Sequence, residues 1–164
     1  MIEMTSGTKP VDFDNLRFLV VDDDRDQRYL LSRTLAAMGR ARVVEAPSGY
    51  EALAVLDRGR QAVDIVVTDL QMPEMDGMEL VRRIGERKLS VAVILVSGLD
   101  GVLLASAATM AQAYGVRVIG TIEKPATYRS MTMVDSVARI RIRKATQPRP
   151  SCESTLLGSE KTGS

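Results

Sequence analysis

Five short apolar runs, at residues 16–21, 41–44, 63–68, 91–96 and 116–122, divide this chain and leave it few ways to fold. Several are rich in valine and isoleucine with little alternation, the pattern of strands covered on both faces. The segments between them carry helical spacing instead. Leu30, Leu31, Thr34, Leu35 and Met38 form one stripe, Ala52, Leu53 and Leu56 a second, and Leu80, Val81 and Ile84 a third. Helix starts are marked by a short oxygen-bearing side chain with Glu or Gln three residues on: Asp24 with Gln27, Ser48 with Glu51, Asp76 with Glu79. Gly39 stands where the first helix should stop. Strand and helix therefore alternate five times, and the connections suit right-handed parallel crossovers. The expected fold is α/β: a doubly wound five-stranded parallel sheet of order 2-1-3-4-5 with helices on both faces.

With 45% apolar and 26% charged residues, the chain has the composition of one soluble domain. Residues 1–14 read as an N-terminal extension, 15–143 as the domain, and 144–164, rich in Ser, Thr, Pro and Gly, as a flexible tail or linker too short for a further domain. A net charge of +1 provides no footprint for nucleic acid. Neither a secretory signal nor a run of membrane-spanning length is visible, so a cytoplasmic location is expected. Cys152 is the only cysteine and histidine is absent, so an internal disulfide and a thiolate or imidazole metal site are excluded. Any metal must be a hard cation held by oxygen.

In an open parallel sheet, ligands sit beyond the carboxyl ends of the strands. The first run ends there in Asp22-Asp23, the third in Asp69, the fourth in Ser97 and the fifth in Lys124-Pro125. Clustered carboxylates repel one another, and a divalent cation removes that penalty. Mg²⁺ takes octahedral oxygen ligands, keeps several waters and commonly binds a phosphate oxygen as well. Asp23 and Asp69 would be direct ligands, the main-chain carbonyl of Gln71 a third, and Asp22 a ligand through water. Phosphoryl transfer asks little of a protein beyond an in-line nucleophile and neutralised charge. Asp69 would be that nucleophile and would form an acyl phosphate, with Lys124 and the Ser97 hydroxyl on phosphoryl oxygens.

Val20-Val21-Asp22-Asp23-Asp24, Ala46-Pro47-Ser48-Gly49, Asp69-Leu70-Gln71-Met72-Pro73-Glu74-Met75-Asp76-Gly77, Val96-Ser97-Gly98 and Glu123-Lys124-Pro125 occur in this order over roughly residues 15–143. In these the chain resembles the receiver domains of bacterial two-component response regulators, with a chemotaxis-regulator-like, flavodoxin-like sheet. The resemblance implies a sensor histidine kinase as partner, donating phosphate from its phosphohistidine to Asp69. It also implies a cis peptide between Lys124 and Pro125. The segment 99–125 is similar to receivers that precede a cyclic-di-GMP phosphodiesterase domain.

The same residues have plainer readings when taken singly. Asp22, Asp23 and Asp24 alone would be turn and cap residues, Ser97 a strand-end serine and Lys124 a solvated charge. Glu51-Ala52-Leu53 spells the name of a phosphodiesterase family but belongs to a capped helix. The nine methionines read mostly as core filler and loop packing, and Arg139, Arg141, Arg143 and Lys144 read as a solvated helix end rather than a nucleic-acid contact.

Two departures from the receiver pattern bear on signalling. Receivers usually carry an aromatic three residues before the lysine, where this chain has Thr121. Residues 101–115 contain no charged side chain, which suggests that a homodimer partner or an output domain covers the fourth helix, together with the fifth strand and fifth helix; the plainer reading is an alanine-rich face of small residues that is tolerated uncovered. Two other functions compete. A Mg²⁺-dependent phosphatase of the haloacid dehalogenase type would need a second aspartate where Gln71 stands, and a receiver that no longer takes phosphate would keep the fold alone.

Overall fold

The computed structural model describes residues 15–39, 42–59, 63–132 and 136. The predicted extension, the tail with Cys152 and the basic run at 139–144 lie outside them. The elements are β1 (Arg17–Val21), α1 (Arg25–Ala37), β2 (Arg42–Ala46), α2 (Gly49–Leu56), β3 (Ile65–Asp69), α3 (Gly77–Glu86), β4 (Ala92–Ser97), α4 (Gly101–Ala113) and β5 (Arg117–Glu123). Residues 128–132 and 136 are helical and represent the predicted fifth helix. All strand pairs are parallel, and the order is β2-β1-β3-β4-β5, as the sequence implies.

Alternate strand residues feed two cores, one on each face of the sheet. Leu19, Val21, Val66, Val93 and Leu95 pack with Leu53, Leu80 and Leu104 of α2, α3 and α4. Phe18, Val20, Val67, Ile94 and Val96 pack instead with Leu31 and Leu35 of α1 and with Met131. Each such leucine or valine, fully removed from water, contributes roughly 1.5–3 kcal/mol before chain entropy is counted. Every residue of β3 and β4 is buried, so their unbroken apolar runs follow from cover on both faces.

The edge strand departs from that rule. β2 exposes Arg42, Val44 and Glu45 and runs past the apolar 41–44 stretch to Ala46, because its ladder with β1 continues to the Val21–Ala46 pair. Backbone pairing, not apolarity, sets its end. Within α1, Leu31, Thr34 and Leu35 are buried while Leu30 is exposed, so the stripe is narrower than its sequence suggests. Thr34 remains tolerable inside because its hydroxyl donates to the Leu30 carbonyl at 2.8 Å.

All three predicted caps form: Asp24 accepts from the N–H of Asp26 and Gln27, Ser48 from Glu51, and Asp76 from Glu79. The Glu79 carboxylate does not close a reciprocal box, since Arg82 and Arg83 engage it. Asp100 caps α4 in the same way, a cap the spacing rule passed over because Leu103 follows it at the third position. Gly39 ends α1 with φ +82°.

Candidate functional site

The strands end together at one edge of the sheet. Register pairs Val21 with Thr68 and Asp69 with Val96, so the β1–α1 turn, the last residue of β3 and the end of β4 are neighbours. Lys124 follows β5 directly, and its N–H donates to the Ser97 carbonyl at 2.8 Å. The Lys124–Pro125 peptide is cis.

This edge brings carboxylate oxygens of Asp22, Asp23 and Asp69 within 4.8 Å of one another. Asp22 is fully buried, Asp69 nearly so, and Asp23 is exposed. Lys124 Nζ donates to Asp22 Oδ2 and to Asp69 Oδ2, each at 2.9 Å. Asp69 Oδ1 accepts the Gln71 N–H at 3.1 Å, and Asp22 Oδ1 accepts the Asp24 N–H at 2.9 Å. Burial pushes the Asp22 carboxyl above its ordinary range, the bonds from Lys124 and Asp24 oppose it, and the negative Asp69 adds to the rise. For Lys124 burial acts downward, but the bonds to Asp69 and Asp22 outweigh it, so the ammonium holds its proton more tightly than usual.

The loop after Asp69 is shaped to keep that carboxylate in place. Glu74 adopts φ +64°, and the Gly77 N–H returns to the Leu70 carbonyl at 3.0 Å. A Cβ on Gly77 would overlap the Asp69 carbonyl oxygen and lie 2.8 Å from Leu70 Cα, so only glycine lets α3 start this close to β3.

Of the residues singled out in the sequence, Asp22, Asp23, Asp69 and Lys124 meet at this edge. Gln71 enters through its N–H. Ser97 is buried beside them, with its hydroxyl oxygen accepting from the Leu99 N–H at 3.2 Å. Thr121 is exposed on β5, paired in register with Leu95. One contributor was missed: Arg28, whose Nη1 donates to the Asp22 carbonyl at 2.8 Å. No side-chain pattern in the sequence signals it, because its partner is a main-chain carbonyl.

Three hard oxygen donors around a partly buried negative cluster suit a small divalent cation. A family model, the response regulator receiver domain, matches residues 18–134. The chain belongs to that family. A chemotaxis protein, the CheY homologue of Campylobacter jejuni, is 36% identical over 87 residues, which make up 52% of this chain and 66% of that protein. RocR, a cyclic di-GMP phosphodiesterase of Pseudomonas aeruginosa, is 30% identical over 135 residues, 82% of this chain but 34% of its own. Among solved structures, the receiver domain of the Arabidopsis thaliana histidine kinase CKI1, complexed with Mg²⁺ and BeF₃⁻, is similar with a TM-score of 0.59 at 30% identity. That match covers 74% of this chain and 90% of that one.

The receiver is a signalling domain. No helix among the described residues is long and apolar enough to cross a membrane.

Proposed function

We propose that this receiver takes a phosphoryl group on Asp69 from a sensor histidine kinase and that the change alters its binding to a partner. The observation that carries the reading is the placement of Asp69: at the mouth of a buried strand, one carboxylate oxygen held by Lys124 and the other by the Gln71 N–H, with Asp22 and Asp23 alongside. An Asp69 oxygen attacks phosphorus, the bond from phosphorus to the donor imidazole nitrogen breaks, and the imidazole leaves with the electron pair. Asp22, Asp23 and Asp69, with the Gln71 carbonyl, would hold Mg²⁺, which when bound supplies positive charge for the phosphoryl oxygens. Lys124 would follow the new negative charge, and the Ser97 hydroxyl would donate to a phosphoryl oxygen.

Residues 15–143 would act as the switching unit. Because the matched segments are only parts of the curated relatives, the response itself is a matter of what this receiver contacts. The uncharged α4, which exposes Val102, Leu103 and Met110, supports a homodimer or output domain against α4, β5 and the helix that follows. The likeness to RocR supports a response linked to cyclic di-GMP turnover.

Acetyl phosphate with Mg²⁺, followed by intact mass, tests the acceptor. A phosphoryl adduct present in the unaltered chain and absent from Asp69→Asn is expected. No adduct on the unaltered chain would leave the reading in which the fold is kept without phosphorylation.

A further inference from the structure

Asp23 has no hydrogen-bond or ion-pair partner among the described residues and is exposed, yet it completes the carboxylate cluster. Its position is therefore set by the main chain that leads into it. The peptide unit joining Asp22 to Asp23 is planar, so fixing the Asp22 carbonyl fixes the direction in which Asp23 departs. That carbonyl lies just beyond the end of β1, where the ladder no longer supplies a partner.

Arg28 supplies it. Arg28 sits one turn into α1, its N–H donating to the Asp24 carbonyl at 3.0 Å, and helical side chains lean back toward the N-terminus. Its guanidinium thus lies over the β1–α1 turn, with Nη1 on the Asp22 carbonyl at 2.8 Å and Nε on Glu45 Oε2 of β2 at 3.2 Å. The Arg28 side chain is 15% exposed and Glu45 40%, so the clamp is partly buried at its Asp22 end and open to water at its Glu45 end. The other polar groups of Asp22 are also held: its N–H by the Ala46 carbonyl, Oδ1 by the Asp24 N–H and Oδ2 by Lys124.

We propose that Arg28, braced by Glu45, is a positioning residue for divalent-cation binding at the Asp22–Asp23–Asp69 cluster: it orients the Asp22–Asp23 peptide so that Asp23 presents its carboxylate to the ion. The inference rests on the reading of that cluster as a Mg²⁺ site. Two effects of Arg28 have opposite signs. As a cation near the cluster it repels Mg²⁺, so if charge were its whole role, removing it would tighten binding. As a brace, its removal loosens Asp23 and weakens binding.

Mg²⁺ titrated calorimetrically into the full chain, with no phosphodonor present, reads that sign directly. Arg28→Ala should weaken Mg²⁺ binding by about tenfold, the scale at which partners that orient a metal ligand act. Arg28→Lys keeps the charge and one donor without the fork, and should recover only part of the loss. Glu45→Ala, which leaves Arg28 unbraced, should weaken binding in the same direction by about threefold, a smaller share of that scale. Unfolding midpoints recorded alongside, with titrations well below them, separate binding from stability. Should Arg28→Ala fail to fold, Arg28→Lys, which keeps the charge, decides. Mg²⁺ affinity unchanged or increased in every folded Arg28 variant would overturn the inference, and no Mg²⁺ binding by the unaltered chain would overturn the cluster reading along with it.

Discussion

Lys124 Nζ stands 2.9 Å from Asp69 Oδ2 and at the same distance from Asp22 Oδ2, so a single ammonium bridges two carboxylates and offsets part of their mutual repulsion. Neither carboxylate has much water to compensate for losing it. Lys124→Met should therefore destabilise the fold by about 2–4 kcal/mol in urea titrations at pH 7 without divalent ions, since it leaves buried charge unpaired. Adding Mg²⁺ should restore part of the loss, because an ion that binds only the folded state raises its stability by mass action. Equal stability of Lys124→Met and the unaltered chain in metal-free buffer would contradict the charge-pairing account. The raised Lys124 pKa sets the pH window: the pairing is fully present below the ordinary lysine value of 10.5 and is lost as pH climbs through the higher folded-state value.

What the sequence revealed and concealed divides along physical lines. The buried strands β3 and β4 were legible because cover on both faces demands unbroken apolar runs, and the strand ends then placed Asp22, Asp23, Asp69 and Lys124 at one edge. The end of β2 was not legible, because an edge strand is defined by its ladder and tolerates Glu45. Arg28 was equally hidden. It acts on a main-chain carbonyl, and no side-chain pattern advertises a backbone group left unpaired where a strand stops. Spacing puts Leu30 in the apolar stripe, although only the side chains facing Phe18 and Val20 are covered.

Gly77 is where the sequence tolerates no side chain for reasons of the site rather than of the turn. Alanine there would collide with the Asp69 carbonyl oxygen and with Leu70 Cα, both backbone atoms that cannot swing aside. Gly77→Ala should cost about 2–3 kcal/mol, as overpacking does, and should weaken Mg²⁺ binding by shifting Asp69. Gly101 offers the contrast: a Cβ would meet nothing within 4 Å, and the residue opens α4 without a positive φ. Gly101→Ala should stabilise by about 0.5–1 kcal/mol through reduced freedom of the unfolded chain. Chemical denaturation of the two variants side by side checks both signs.

Glu79 sits in the first turn of α3, gripped by Arg82 and Arg83. Hydrogen bonds from Arg82 first and Arg83 second hold its carboxyl at about 2, against an ordinary value of 4.5. A depressed folded-state value means that the stabilisation is complete above 4.5 and disappears as pH falls toward 2. The site is solvent-exposed, so salt should weaken the effect. Carboxyl-carbon NMR should place the Glu79 midpoint near 2 and show it rising toward 4.5 in Arg82→Gln. A normal midpoint in the unaltered chain would mean that water screens the pair entirely.

The outer face of α4 is the remaining element whose composition its own fold does not explain. Leu104, Ala107 and Ala111 satisfy the core, while Val102 is 76% exposed and Leu103 and Met110 are each more than half exposed. No charge on the helix offsets them, so association through this face should be driven by apolar burial and be abolished by one carboxylate placed within it. With beryllofluoride and Mg²⁺, light scattering of the unaltered chain should rise toward a dimer, whereas Leu103→Glu should stay monomeric. Because about half of the Leu103 surface is exposed, that substitution should change the unfolding free energy from urea titration by no more than about 1 kcal/mol. A monomer in both states of the unaltered chain would remove the self-association reading of this face.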